Sequence, residues 1–422
     1  MDTKQIIAII IFLVILAGII IEMFDITVLA LTGAVAMVAF KIIPLSKVMG
    51  YVDFDTIAVL IGMMLTVAVF KQTGFFEYIA MFTAKICKGK SFNILLALGI
   101  LTAIFSAVLD NVTTVLLMGP VTFLITKMLK INPIPFVITE IFASNIGGTS
   151  TLIGDPPNIM IGSAAGLNFT DFIVRLFPIT SVILIISILI IYVLNRKKMK
   201  VSEEDRQVIL ALNPKDEIKD KALLIKGLIV IVFVLLGFIF SDFLGLNAGA
   251  VAMIGACVLL LISKSSISEI INDVEWGSIL FFIGLFIMVG GLVETGVINM
   301  LAELIIKYGK SDPIVLILIM LWGSALVSAF LDNIPFVATL IPLVLVMKHQ
   351  GVDVLPLWWA ISLGACLGGN GTLIGASANV VLSGISNKNG YKITFVDYFK
   401  IGFPLMILSI IISTIYLLIL YA

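Results

Sequence analysis

Ser106-Ala-Val-Leu-Asp110-Asn111-Val112 and Ser328-Ala-Phe-Leu-Asp332-Asn333-Ile334 are two copies of one pattern. Each sets an acid and an amide between apolar runs long enough to enter a membrane. A carboxylate at bilayer depth costs about 2.5–3.5 kcal/mol even on the gentler scales, so such residues read as functional by default. Around each copy lies a longer apolar stretch, 92–128 and 311–348, interrupted at its middle. That pattern predicts a re-entrant helical hairpin with its tip inside the protein.

The rest of the chain has the same character. Of 422 residues 61% are hydrophobic and 12% charged, with mean hydropathy +1.22, which excludes an ordinary soluble domain. A net charge of zero, with no basic patch and no zinc-spaced Cys/His cluster, sets nucleic acid aside. Cys87, Cys257 and Cys366 are scattered and odd in number, and read as apolar packing residues. The run from Ile6 to Ile21 has only Lys4 before it and another apolar span soon after Glu22, so it reads as a retained helix.

Apolar runs of membrane-spanning length fall near 6–22, 26–43, 55–70, 134–165 and 175–195, and again near 223–242, 246–263, 277–293, 355–387 and 399–421. Local matches support a repeat. Gly33-Ala-Val-Ala-Met37 recurs as Gly249-Ala-Val-Ala-Met253, and Gly147-Gly-Thr-Ser-Thr-Leu-Ile-Gly154 as Gly368-Gly-Asn-Gly-Thr-Leu-Ile-Gly375. Asp171 with Phe177-Pro178 recurs as Asp397 with Phe403-Pro404. The expected fold is an all-α polytopic membrane protein: an inverted repeat of five transmembrane helices each, with two re-entrant hairpins and two discontinuous helices. Five crossings is an odd number, so the second copy is upside down relative to the first. The domains are 1–195 (hairpin 92–128, broken helix 134–165), a linker 196–222, and 223–422 (hairpin 311–348, broken helix 355–387). With the linker on the cytoplasmic side, 19 Lys and Arg fall inside and 7 outside, which puts both termini outside the cytoplasmic membrane. The linker, with Arg196-Lys-Lys-Met-Lys200 and Glu203-Glu-Asp205, reads as solvated and without an apolar face.

After each hairpin comes a run that no continuous helix would choose. In the first half Ser144-Asn145-Ile-Gly147-Gly148-Thr149-Ser150-Thr151-Leu-Ile-Gly154-Asp155-Pro156-Pro157-Asn158 carries three glycines and two prolines among many side-chain oxygens. In the second, Asn370, Thr372, Ser377 and Asn379 occupy a matching run. At membrane depth such backbone is tolerated only against protein or a water-filled cavity. A broken helix offers carbonyls to a cation and a positive N-terminus to an anion. With Asp110, Asn111, Asp332 and Asn333 added, the set resembles the oxygen cage of a hard cation such as Na+. Asp110 and Asp332 are expected to approach each other across the pseudo-twofold axis and to exchange a proton for the transported ion. Asp155, matched by Ala376, and Glu140, matched by Ile361, are further proton-coupling candidates. Glu294, Glu303 and the lone His349 read as interfacial. Neither run ends in the Gly-Lys-Ser/Thr of a phosphate-binding loop.

These doubled Asp-Asn hairpins, Gly147–Asn158 and Gly364–Val381, with Gly390-Tyr391 after them, resemble the ArsB/NhaD branch of the ion transporter superfamily, and within it the group of the melanosomal P protein and its bacterial relatives. The resemblance spans nearly the whole chain. It implies scaffold helices around a mobile transport domain, often in a homodimer, working by alternating access without a cofactor beyond Na+ or H+ as coupling ion. It also implies secondary transport rather than enzymatic activity, with arsenite, antimonite or Na+ exchanged for protons, and in arsenite permeases a separate ATPase subunit. The dicarboxylate branch carries Ser-Asn-Thr at the hairpin tips. Asp110-Asn111-Val112 and Asp332-Asn333-Ile334 instead place negative charge where a dianion would bind, so dicarboxylate symport is the weaker reading. A chloride channel and an intramembrane aspartic protease are the alternatives from other classes.

Overall fold

The computed structural model describes residues 2–21, 24–211, 213–264, 266–309 and 312–421; Glu22, Lys310 and Ser311, which the sequence reading used, lie outside them. The first half contains α1 (Thr3–Ile21), α2 (Ile26–Ala39), α3 (Phe54–Lys71), α4 (Phe75–Ile86), α5 (Ser91–Val108), α6 (Asn111–Met128), α7 (Ile134–Thr149), α8 (Pro156–Ala165) and α9 (Phe169–Asn195). The linker forms α10 (Glu203–Ala211). The second half contains α11 (Lys221–Ile239), α12 (Ser241–Leu244), α13 (Ala248–Ser263), α14 (Ile267–Asn272), α15 (Trp276–Glu294), α16 (Val297–Gly309), α17 (Pro313–Ser328), α18 (Asn333–His349), α19 (Leu355–Gly368), α20 (Ser377–Lys388) and α21 (Phe395–Tyr421). Among the described residues there is no strand. Seven of these helices are long and apolar enough to cross a membrane, and several shorter apolar ones accompany them. This is an all-α polytopic membrane protein.

Asp and Asn side chains start many of these helices. Asp25, Asp53, Asp220, Asn247 and Asp312 accept hydrogen bonds from the first-turn amides of α2, α3, α11, α13 and α17, which are otherwise without helical partners. Asn168 and Asp171 form a reciprocal capping box on α9.

The halves interlock as an inverted repeat. α3 packs on α13 and, reciprocally, α2 packs on α15; α6 meets α20, and α18 meets α8. A Cβ on Gly62 of α3 would lie 2.6 Å from the Ala252 carbonyl carbon, and one on Gly284 of α15 would lie 2.7 Å from that of Ala30. Both contacts relate by the same shift, since 62 + 222 = 284 and 30 + 222 = 252. The repeat register here is therefore 222, not the 216 taken from the two Gly-Ala-Val-Ala-Met runs, which match in letters but sit six positions out of step. Close backbone approach through small residues is how helices pack tightly where lipid supplies no hydrophobic drive.

Contacts also separate two faces. On the linker face Lys219 N donates to Thr73 O at 3.0 Å, Lys71 pairs with Asp273 at 3.3 Å, and Thr27 Oγ1 donates to Gly277 O at 3.0 Å. The opposite face carries Gly249 N to Asp55 Oδ1 at 2.9 Å and the Lys47–Glu294 pair at 2.6 Å. Glu294 is thus paired rather than merely solvated.

Two features differ from the sequence reading. Amphipathic α4 and α16, which fell between the counted spans, pack on α6 and α18 respectively. The linker does have an apolar side: Met199 and Ile209 are buried, and α10 docks on α4 and α6. Lys130 pairs with Asp205 at 2.7 Å, and Arg206 Nε donates to Lys88 O at 3.1 Å, so the base of the first hairpin is tied to the linker.

Adding one carbon at either interhelix contact tests the register. Gly62→Ala and Gly284→Ala should each destabilise the detergent-solubilised protein by about 1–3 kcal/mol through overpacking. Gly323→Ala, with nothing within 4 Å of the new carbon, should be neutral or slightly stabilising in thermal unfolding.

Candidate functional site

Both broken helices are held open by an asparagine downstream of the break. Asn158 Nδ2 donates to the carbonyls of Thr149 and Thr151 at 3.1 and 2.9 Å, with Gly148 O at 3.4 Å. Asn379 Nδ2 donates to the matching carbonyls of Gly369 and Thr372 at 2.7 and 2.9 Å. Threonine hydroxyls then fasten each break to its hairpin: Thr151 donates to Ala107 O and Thr372 to Ala329 O. Thr149 donates to Asn145 O within its own helix. These hydroxyls serve the backbone rather than an open cage.

At the centre the predicted amides and acids fall into two groups. In the amide group Asn111 Nδ2 donates to Asn145 Oδ1 at 3.1 Å, and Asn145 Nδ2 reaches both Asn370 Oδ1 and Asn379 Oδ1 at 2.9 Å. Asn370 Nδ2 is buried without a partner among the described residues, and Tyr398 donates to Asn370 O at 3.1 Å. In the acid group Asn333 Nδ2 donates to Asp155 Oδ2 at 3.1 Å, and Ser377 Oγ donates to Asp332 at 2.8 Å. Asn111 and Asn333 thus have unlike partners, because Asp155 in one half faces Ala376 in the other, and Asn145 faces Cys366.

Asp110 and Asp332 each cap the helix that follows. Asp110 accepts from Thr113 N at 2.7 Å and from the Thr113 hydroxyl, and Asp332 accepts from Ile334 N at 3.0 Å. No interaction between the two is found among the described residues. The carboxylate within electrostatic reach of both is Asp155. Although Asp155 stands at the start of α8, its side chain makes no capping hydrogen bond, which leaves it to Asn333. None of the hydrogen bonds or ion pairs of these three carboxylates among the described residues involves Lys or Arg.

Sequence reasoning missed several members. Cys366, taken for packing, lies 3.7 Å from Asn158 Oδ1, which also accepts from Ser362 at 2.6 Å. Superposing the two broken runs, which pairs Cys366 with Asn145, would have found it. Scaffold acids also reach the hairpins. Asp25 and Asp332 line one cavity of about 350 Å³. Glu275 lines another of about 180 Å³ beside Thr113, and burial together with the Asp110 charge holds its carboxyl above the usual range. Both cavities lie on the linker face. The cavities of about 320 and 280 Å³ toward the opposite face are lined by none of the predicted site side chains.

This geometry meets clear relatives. The sequence profile of a family described as citrate transporters, CitMHS, matches residues 16–364. The chain belongs to the citrate transporter family. It is a membrane transporter, related to a 46 kDa membrane protein of Mycobacterium leprae at 42% identity, covering 98% of each chain. An uncharacterized transporter of Mycobacterium tuberculosis is 41% identical over 93% of this chain and 92% of its own. The mouse P protein is 35% identical over 96% of this transporter, which spans 59% of that longer protein. In fold the transporter is similar to the crystal structure of the YdaH transporter of Alcanivorax borkumensis, with a TM-score of 0.62, 13% identity, and 99% and 98% of the two chains covered.

The asparagine fasteners can be tested directly. Asn379→Ala removes the donor and should lower the unfolding free energy by about 1–3 kcal/mol for the carbonyls left unpaired. Asn379→Asp keeps the size but turns a carboxylate toward those carbonyls, and should lower the unfolding midpoint at least as far. A wild-type midpoint for Asn379→Asp would remove the donor role.

Proposed function

We propose that this transporter is a secondary active antiporter that exchanges Na+, in preference to neutral arsenite or antimonite, for protons by alternating access. The observation that carries the reading is the placement of Asp110, Asp155 and Asp332 at the starts of α6, α8 and α18 with no basic side chain among the described residues bound to them. A helix N-terminus carries positive partial charge and draws an anion. Here the chain supplies those anions itself, so the guest that completes the site is a cation or proton. Neutral arsenite would need only the small polar donors and would leave the acids unused.

Access follows from the cavities. If the linker is cytoplasmic, as the Lys and Arg distribution favours, the cavity that Asp332 lines is on the cytoplasmic side. Asp25 and Glu275 then stand at the scaffold wall across from the hairpin tips.

One observation favours a second reading. The start of α20 falls at Ala376, which offers no side-chain cap, and the family description names citrate. A carboxylate-bearing substrate would place its charge at that one unoccupied helix start, with the cations of the acid group moving alongside it.

Reconstituted vesicles carrying a pH-sensitive dye, challenged in turn with Na+, Li+, arsenite, citrate and chloride, separate these readings. A saturable proton flux answering Na+ is expected, with Asp155→Asn at least tenfold slower and Asp110→Asn and Asp332→Asn altered in pH dependence. A flux answering citrate alone selects the second reading. A chloride-following current without saturable exchange, or three variants that all match wild type, would sink the antiport proposal.

A further inference from the structure

Glu140 lies outside both central groups. It sits within α7, 1% exposed, where the Thr122 hydroxyl of α6 donates to Oε1 and Oε2 has no hydrogen-bonding partner among the described residues. The second half shows what the fold requires at this place. The residues matching Glu140 and Thr122 are Ile361 and Val344, both fully buried. Aliphatic packing therefore closes the same interface of broken helix against hairpin, and the acid contributes nothing that the architecture needs. A buried polar atom without a partner is destabilising, and one retained inside a membrane domain calls for a functional account.

No countercharge explains it. The helices packed on α7 are α5, α6, α9, α19 and α20. Their titratable or charged groups are Lys127 on α6, Asp171, Arg175 and Tyr192 on α9, Cys366 on α19 and Lys388 on α20, and α7 itself has no other. None of these hydrogen-bonds or ion-pairs with Glu140, whose partner among the described residues is Thr122. Position adds a direction. About 9 Å of helix axis separates Thr122 from the linker-face end of α6 at Met128. Glu140 is therefore shallower than the hairpin tip, on the linker side, where the cavities lined by Asp332 and Glu275 lie.

We infer that Glu140, held by Thr122, is a second proton-carrying site of the transporter, distinct from the three acids at the helix starts and unique to the first half. Oε2 takes a proton from water on the linker side and returns it to water later in the cycle, with no other bond made or broken. The inference rests on the proton coupling proposed above.

The test counts protons. In reconstituted vesicles with Na+ as the driven ion, Glu140→Gln keeps the acceptor for Thr122, and is expected to match wild-type thermal stability while moving one proton fewer per Na+ and losing one ionisation from its pH–rate profile. The double variant Glu140→Ile with Thr122→Val rebuilds the second-half pair and should show the same loss. Should it fail to fold, Glu140→Gln alone decides. Wild-type proton count and pH profile in Glu140→Gln would overturn this inference while leaving the antiport reading intact. A wild-type protein that moves no protons would instead bring down the antiport reading first.

Discussion

Two side-chain amides keep this membrane protein from collapsing into continuous helices. A helix interrupted at bilayer depth frees carbonyls that lipid cannot satisfy, and each such group costs energy unless the protein itself supplies a donor. Asn158 and Asn379 supply those donors to their own breaks, and Thr151 and Thr372 tie the same segments to the neighbouring hairpins. The central amide and acid groups exist because those segments are fixed.

On this symmetric frame the chemistry is unequal. The same fold position holds Asp155 in one half and Ala376 in the other, Asn145 and Cys366, Glu140 and Ile361. One group is built of neutral amides that bond one another, and the other gathers carboxylates that, among the described residues, receive amide and hydroxyl donors. The geometry occurs twice, and both copies carry an acid at the hairpin tip, but Asp155 and Glu140 occur in the first copy alone.

Much of this was legible before any coordinates. The Asp-Asn tips, the glycine and proline breaks and the doubled order are local signals, and each has a direct physical meaning in a medium without water. The 222-residue register of the scaffold was not, because Gly-Ala-Val-Ala-Met runs are cheap coincidences in small-residue helices, and only the reciprocal Gly62–Ala252 and Gly284–Ala30 contacts decide between them. Nor was the docking of α10, whose one deeply buried residue, Ile209, sits among charges that dominate the linker's composition. Asp110 and Asp332 were read as facing each other because symmetry alone suggests it. Their roles as helix caps come from side-chain directions that spacing does not convey.

The reciprocal packing of α3 on α13 and α2 on α15 bears on how the chain is made. When the ribosome has delivered the first half, the Gly62 side of α3 has no mate in the membrane, and its contact surface stays open to lipid until α13 emerges. α2 waits longer still, for α15. The two halves cannot mature one after the other, so biogenesis must hold five loosely gathered spans in the bilayer until the last of their counterparts is synthesised.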